Sequence, residues 1–131
     1  MNEVLAVDTS AVVDFERAGR PSPRPLLDAA IVYLPLPVLG ELYAGAYLSR
    51  RFVDAHLESI AQTINSWIVI SPDTETARLY GHLRGVLGLT DIGPSKRTDL
   101  WIGALCIQHD LTLLTSDPGF DVFPNLKVLH W

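Results

Sequence analysis

Val4-Leu5-Ala6-Val7-Asp8-Thr9-Ser10 decides how the rest of the chain is read. Four aliphatic residues in a row suit a strand buried on both faces, and the Asp-Thr-Ser that stops them has the chemistry of a helix N-terminus. The same pattern returns late in the chain, where residues 111–114 run apolar into Thr115-Ser116-Asp117. Between and beyond these lie three more short apolar runs, 31–34, 67–70 and 126–129, each readable as a strand. Helical patterns separate them. A short helix is expected from Ser10 to about Arg17, and a small one over 26–30. A third spans 36–48 and opens near Pro37, and an amphipathic one spans 50–66 with Val53, Leu57, Ile60 and Ile64 on one face. Another follows over 73–87. After a polar loop at 88–96, Thr98 is expected to cap a helix from Asp99 to about His109 that is apolar nearly all round. Strands alternating with helices predict an α/β fold, a three-layer α/β/α domain with a mostly parallel central sheet.

The 131 residues suit one domain, 1–131. Hydrophobic residues make up 48% and charged residues 19%, enough apolar material for a core and too much for a disordered chain. The most apolar stretch, 29–42, is broken by Pro35, Pro37, Gly40 and Glu41, so no membrane span is expected. Met-Asn-Glu at the start lacks a basic signal-peptide flank, and the single cysteine, Cys106, can form neither an internal disulfide nor a cysteine-based zinc site. A cytoplasmic protein is the expectation. Fifteen acids against ten bases give a net charge of -5, so any grip on nucleic acid must come from local patches rather than bulk charge. Eight of the ten bases are arginine, and they gather loosely as Arg17, Arg20 and Arg24; Arg50 and Arg51; and Arg84, Lys96 and Arg97.

Ligands of open parallel sheets bind beyond the carboxyl ends of the strands, where Asp8 and Asp117 are expected. Glu41 and Asp99 are two further acids set in apolar sequence on helices. Burying a lone carboxylate is costly unless it is paired or bound to a cation, and no Lys or Arg stands directly beside any of the four. Four such acids at one sheet edge would suit a hard divalent ion with oxygen ligands, Mg²⁺ or Mn²⁺. Such an ion polarises a phosphodiester and lowers the pKa of a bound water. Each acid also has an ordinary reading. Asp8 and Asp117 suit turns and caps, Asp99 suits the positive end of a helix, and Glu41 suits a solvent-facing stripe. The ordinary readings predict no convergence of the four.

Four blocks of the sequence resemble the PIN-domain endoribonucleases, and among them the toxins of VapBC toxin-antitoxin pairs. They are Leu5-Ala-Val-Asp8-Thr-Ser10; Leu36-Pro-Val-Leu-Gly-Glu41-Leu-Tyr-Ala-Gly45; Thr98-Asp99-Leu-Trp-Ile102-Gly-Ala104; and Leu113-Leu-Thr-Ser-Asp117-Pro-Gly-Phe120. In order and spacing they cover essentially the whole chain. The resemblance implies a Mg²⁺- or Mn²⁺-dependent RNase, with the metal-site and catalytic acids on Asp8, Glu41, Asp99 and Asp117 and small hydroxyl residues on Ser10 and Thr115. It further implies a homodimer and a small cognate antitoxin whose tail occupies the RNA groove; the antitoxin, rather than this chain, would bind operator DNA. Arg17, Arg20, Arg84, Lys96 and Arg97 are the candidates to line the RNA approach.

Other chemistries find less support. Gly88 and Gly93 have P-loop spacing, but Pro94-Ser95 intervene before Lys96 and no strand precedes. His56, His82, His109 and His130 lack metal-ligand spacing, Cys106 reads as a small core residue, and Ser10 lacks a nucleophile elbow. A receiver-type phosphoacceptor would need paired acids after the first strand and a late lysine. The remaining alternative, a non-catalytic PIN-like module that docks a protein or RNA, would show a missing acid, and none is missing.

Overall fold

The structure is a computed structural model that describes residues 4–16 and 24–131. Five strands, β1 (Val4–Val7), β2 (Ile31–Pro35), β3 (Ile68–Ile70), β4 (Thr112–Leu114) and β5 (Lys127–Leu129), form one sheet in the order β3-β2-β1-β4-β5. Every pairing is parallel, which sharpens the expectation of a mostly parallel sheet. β1 lies at the centre, with Ala6 opposite Tyr33 on one side and Leu113 on the other. Leu5, Ala6 and Val7 are wholly buried, as an uninterrupted aliphatic strand covered on both faces requires.

Helices α1 (Thr9–Glu16), α2 (Arg24–Asp28), α3 (Leu36–Leu48), α4 (Val53–Ser66), α5 (Thr74–Val86) and α6 (Pro94–Gln108) flank the sheet. α3 packs against α4, and α5 against α6. α3 has the bounds its sequence predicts, with Pro37 in the first turn. α5 opens on a capping box: Asp73 accepts from the Thr76 N–H at 3.2 Å, and the Thr76 hydroxyl accepts from the Asp73 N–H at 2.9 Å. It closes on Gly88, whose φ of +65° ends the helix in a left-handed turn, with the Leu89 N–H returning to the Arg84 carbonyl at 2.9 Å. Among the described residues no helix is long and apolar enough to cross a membrane.

Three helix starts differ by two residues or more from the sequence expectation, and the smallest shift is that of α2, which runs Arg24–Asp28 where the sequence predicts 26–30. α6 begins at Pro94, not at Asp99, because Gly93 takes the extended N-cap conformation and proline's fixed φ suits the first turn. Thr98 is therefore interior, its hydroxyl donating to the Pro94 carbonyl at 3.2 Å, and Asp99 stands beyond the first turn. α4 begins at Val53 rather than Arg50, because Arg50 and Phe52 both adopt left-handed backbone, at φ 59° and 55°.

α6 carries the core as its composition predicts, with Leu100 and the run 102–106 buried. A Cβ on Gly103 would stand 2.5 Å from the Phe123 ring, so only glycine lets α6 seat against that side chain. Cys106 is buried, and its thiol is pushed up to about 12 by the loss of water and by the charge of Asp8.

Candidate active site

The chain leaves β1 in one direction across β2 and β3 and returns to β4 on the other side, so the strand order reverses between β1 and β4. A crevice opens at the carboxyl ends of the strands at such a switch point. Asp8 follows β1 directly, and Thr115 to Asp117 follow β4. Asp8 is only 6% exposed. Its Oδ1 accepts from the Ser10 hydroxyl at 2.6 Å and from the Ala11 N–H at 3.1 Å, and its Oδ2 accepts from the Thr115 hydroxyl. The Ala11 bond is ordinary helix capping, whereas the bond from Thr115 crosses from the neighbouring strand. Three donors compensate for the burial of the carboxylate and fix its orientation.

The other three acids reach the same edge from different elements. Glu41, on α3, is exposed, and its Oε1 accepts from the Thr9 hydroxyl at 2.8 Å, which ties it to the residue after Asp8. Asp117 caps a 3₁₀ turn, Pro118–Val122, through an Oδ1 bond from the Gly119 N–H at 2.8 Å; its own N–H donates to the Thr115 hydroxyl at 2.9 Å. Asp99, on α6, is pushed up to about 6, first by partial burial and then by the charges of Asp117, Glu41 and Asp8, against a lowering by Lys96. The other three acids thus all act on this one carboxyl. Among the described residues, however, no three or more His, Cys, Asp or Glu side chains form a group arranged to hold a metal ion. Carboxylates offer the oxygen ligands that a hard divalent ion takes.

The hydroxyl and basic candidates separate. Ser10 and Thr115 both donate to Asp8, and Thr115 is wholly buried, so the structure makes them supports of that acid. Lys96 lies near enough to Asp99 to lower its pKa, and its Nζ stands 5.3 Å from the Phe123 ring centroid. Arg97 is exposed one residue further along α6. Arg84 closes the end of α5 instead of facing the acids, its Nε donating to the Leu89 carbonyl at 2.9 Å and its Nη2 to the Thr90 carbonyl at 3.0 Å. Arg17 and Arg20 lie outside the described residues. Thr9 was not singled out by the sequence, and nothing local could have marked it, since its partner lies 32 positions away.

Fold and acidic edge together define an α/β domain with an anionic site at its strand-order switch point. The chain belongs to the PIN-domain family, whose model matches residues 5–126; PIN domains are a nuclease family. Among solved structures, the chain resembles VapBC2 from Rickettsia felis bound to a DNA fragment from its promoter, with a TM-score of 0.80 and 22% identity over 98% of each chain. It resembles DNA-bound VapBC from Salmonella typhimurium at a TM-score of 0.78 and 20% identity, over 100% of this chain and 99% of that one. Mycobacterium tuberculosis VapC20, described as a Sarcin-Ricin loop cleaving toxin, aligns at 0.61 and 20% identity over 93% of this chain and 98% of its own. At these identities the likeness is one of fold. No curated protein sequence matches significantly.

Proposed function

We propose that the chain is a divalent-metal-dependent endoribonuclease, the toxin of a type II toxin-antitoxin pair. The observation that carries this reading is the shared electrostatic grip of Asp8, Glu41 and Asp117 on Asp99 at the β1/β4 edge, in a PIN-domain chain. Capping and turn formation explain the placement of Asp8 and Asp117 singly; they do not explain why the charges of Asp8, Glu41 and Asp117 all bear on Asp99.

Asp8 and Asp99 are the principal candidates to hold Mg²⁺ or Mn²⁺, with Glu41 and Asp117 completing the set directly or through water. When bound, the ion supplies Lewis-acid polarisation of a phosphodiester and a more acidic water. The chain's own residues supply position. Ser10, the Ala11 N–H and Thr115 hold Asp8 in one orientation, and Thr9 holds Glu41. The Gly119 N–H anchors one oxygen of Asp117 and leaves the other without a hydrogen bond from the described residues. Lys96 and Arg97, at the start of α6, are the described cations placed to meet the phosphates of RNA, with Arg17 and Arg20 as further candidates.

A small antitoxin partner, a homodimer and delegation of operator binding to the antitoxin belong to the same reading, supported by similarity to VapBC assemblies, two of them described as DNA-bound. The test incubates purified wild type, Asp8→Ala and Asp99→Asn with total cellular RNA in Mg²⁺, in Mn²⁺ and in EDTA. New RNA ends are expected only from the wild type with metal. Undiminished cleavage in EDTA would overturn the metal mechanism, and intact RNA in every arm would overturn the ribonuclease reading.

A further inference from the structure

β5 ends at Leu129, which stands opposite Leu114 in the parallel ladder, so one step further along both strands brings His130 beside Thr115. The Thr115 N–H donates to the Leu129 carbonyl at 3.1 Å, and the Thr115 carbonyl lies 2.8 Å from His130 Nδ1. The other ring nitrogen, Nε2, lies 2.8 Å from Oδ1 of Asp121, in the 3₁₀ turn that Asp117 caps. Of the chain's four histidines, His130 alone is engaged through both ring nitrogens among the described residues.

Both partners are oxygens that accept. A neutral imidazole has one N–H and one lone pair, so it satisfies one of them and sets its lone pair against the other. Only the imidazolium, with two N–H groups, donates to both. The surroundings favour that form. The bond to Asp121 first, then the bond to the Thr115 carbonyl, raise the ring's pKa above the ordinary 6.5, against a lesser effect of lost water; the charges of Asp121 and Asp117 add to the rise. Among the described residues these two carboxylates are the charged groups that bear on the ring.

The bridge closes a loop of bonds around Asp117. Segment 115–121 leaves β4 at Thr115, passes through Asp117 and reaches Asp121, and His130 ties both of its ends. Inside that loop the Thr115 hydroxyl donates to Asp8 Oδ2 and accepts from the Asp117 N–H at 2.9 Å, and the Gly119 N–H holds Asp117 Oδ1. An exposed His–Asp pair adds little by itself, and these side chains are 40% and 53% exposed. What sets this pair apart is the second bond, made to a wholly buried residue that is joined to two of the four acids.

We propose that His130, in its doubly protonated form, is a positioning residue of the candidate site, clamping both ends of segment 115–121 so that Thr115 keeps its hold on Asp8 and Asp117 keeps its orientation at the acidic edge. This rests on the metal-dependent ribonuclease reading and adds to it a residue and a pH dependence. Loss of the second proton frees one end of the clamp, so the hold on Asp117 weakens as pH rises through the pKa of the ring.

The test begins on the metal-free protein. ¹⁵N NMR of the His130 ring from pH 5 to 9 reads which nitrogens carry protons, and the backbone N–H signals of Asp117 and Gly119 are followed in the same samples. Both nitrogens are expected to be protonated at pH 6, and the two amides should move with the ring's own midpoint, above 6.5. Asp121→Asn keeps an acceptor oxygen but removes the charge, so the shared midpoint should fall. His130→Phe keeps the bulk of the ring and removes both donors. Its Mg²⁺ affinity, by calorimetry without RNA, and its cleavage of total cellular RNA are compared with wild type at pH 6 and pH 9. A loss of roughly 10-fold is expected at pH 6, the low end of what the outer partners of metal ligands cost, shrinking toward unity at pH 9. Asp99 titrates in both proteins and cancels in the ratio.

A ring with a single N–H at pH 6, or amides that ignore its titration, would overturn the clamp. So would an equal loss at both pH values, which marks a role in packing alone. Wild-type cleavage of RNA alongside any of these results leaves the ribonuclease reading standing. Coupled titration with a pH-dependent Mg²⁺ ratio, but intact RNA in every arm, upholds the clamp and overturns the ribonuclease reading.

Discussion

Asp99 concentrates the cost of the site in one residue. Its carboxyl rises from an ordinary value of 3.8 to about 6, because burial and three neighbouring acids disfavour its charge. The folded chain therefore binds the Asp99 proton more tightly than the unfolded chain does. The resulting stabilisation is complete below about pH 4 and is lost as pH rises through about 6. Asp99→Asn removes the charge and should flatten that pH dependence, leaving the metal-free protein more stable at neutral pH while abolishing cleavage. Asp99 is still partly open to water, so screening holds the expected gain to about 1 kcal/mol. That corresponds to a rise in Tm of roughly 3–5 °C for a chain of this size. Thermal melts of both proteins in EDTA across pH 4 to 8 check the sign, and melts in Mg²⁺ should stabilise the wild type much more than the variant. If Asp99 served only the helix dipole, its neutralisation would lower stability and leave cleavage intact.

At the scale of elements, α6 joins the core to the site. It places Lys96 and Asp99 at the acidic edge and buries Leu100 and residues 102–106 a turn later. Its seat depends on Gly103, since an added Cβ would stand 2.5 Å from the Cδ2 of Phe123, a ring that is 4% exposed and meets Phe120 edge-on at 5.5 Å. Gly103→Ala should cost about 1–3 kcal/mol by overpacking. Combining it with Phe123→Leu should cost less than the sum of the two, because the smaller side chain frees the space the methyl needs. Denaturant titration of the four proteins measures that coupling, and strict additivity would remove Phe123 as the cause. Phe123 also lies under Lys96, so a shift of the ring would be transmitted to a cation at the site.

At the scale of the whole molecule, the single cysteine is a reporter of global opening. Cys106 lies in α6 without exposure and with its thiol pushed up to about 12, so it should resist alkylation at pH 8 while the fold is intact. Labelling in native buffer should follow the unfolding equilibrium and slow further when Mg²⁺ is added; rapid labelling independent of denaturant would show that α6 opens locally. Much of this architecture was legible in the chain itself. The unbroken aliphatic run of β1, the bounds of α3 and the nearly all-apolar α6 follow from short-range pattern, because a strand covered on both faces or a buried helix must be apolar almost throughout. The four acids stood out for the same reason, as charges set in apolar sequence. Local pattern failed where two signals competed, and so Thr98 passed for a cap that Gly93 and Pro94 supply instead. It failed again where partners come from distant parts of the chain. Thr115 reaches Asp8 across 107 positions and Thr9 reaches Glu41 across 32, while Arg84 turns to the carbonyls closing its own helix. Apolar periodicity is set by burial, which each residue carries in its own chemistry; the partner of a polar group is set by the sheet order that brings β1 beside β4, and that order exists only once the chain has folded.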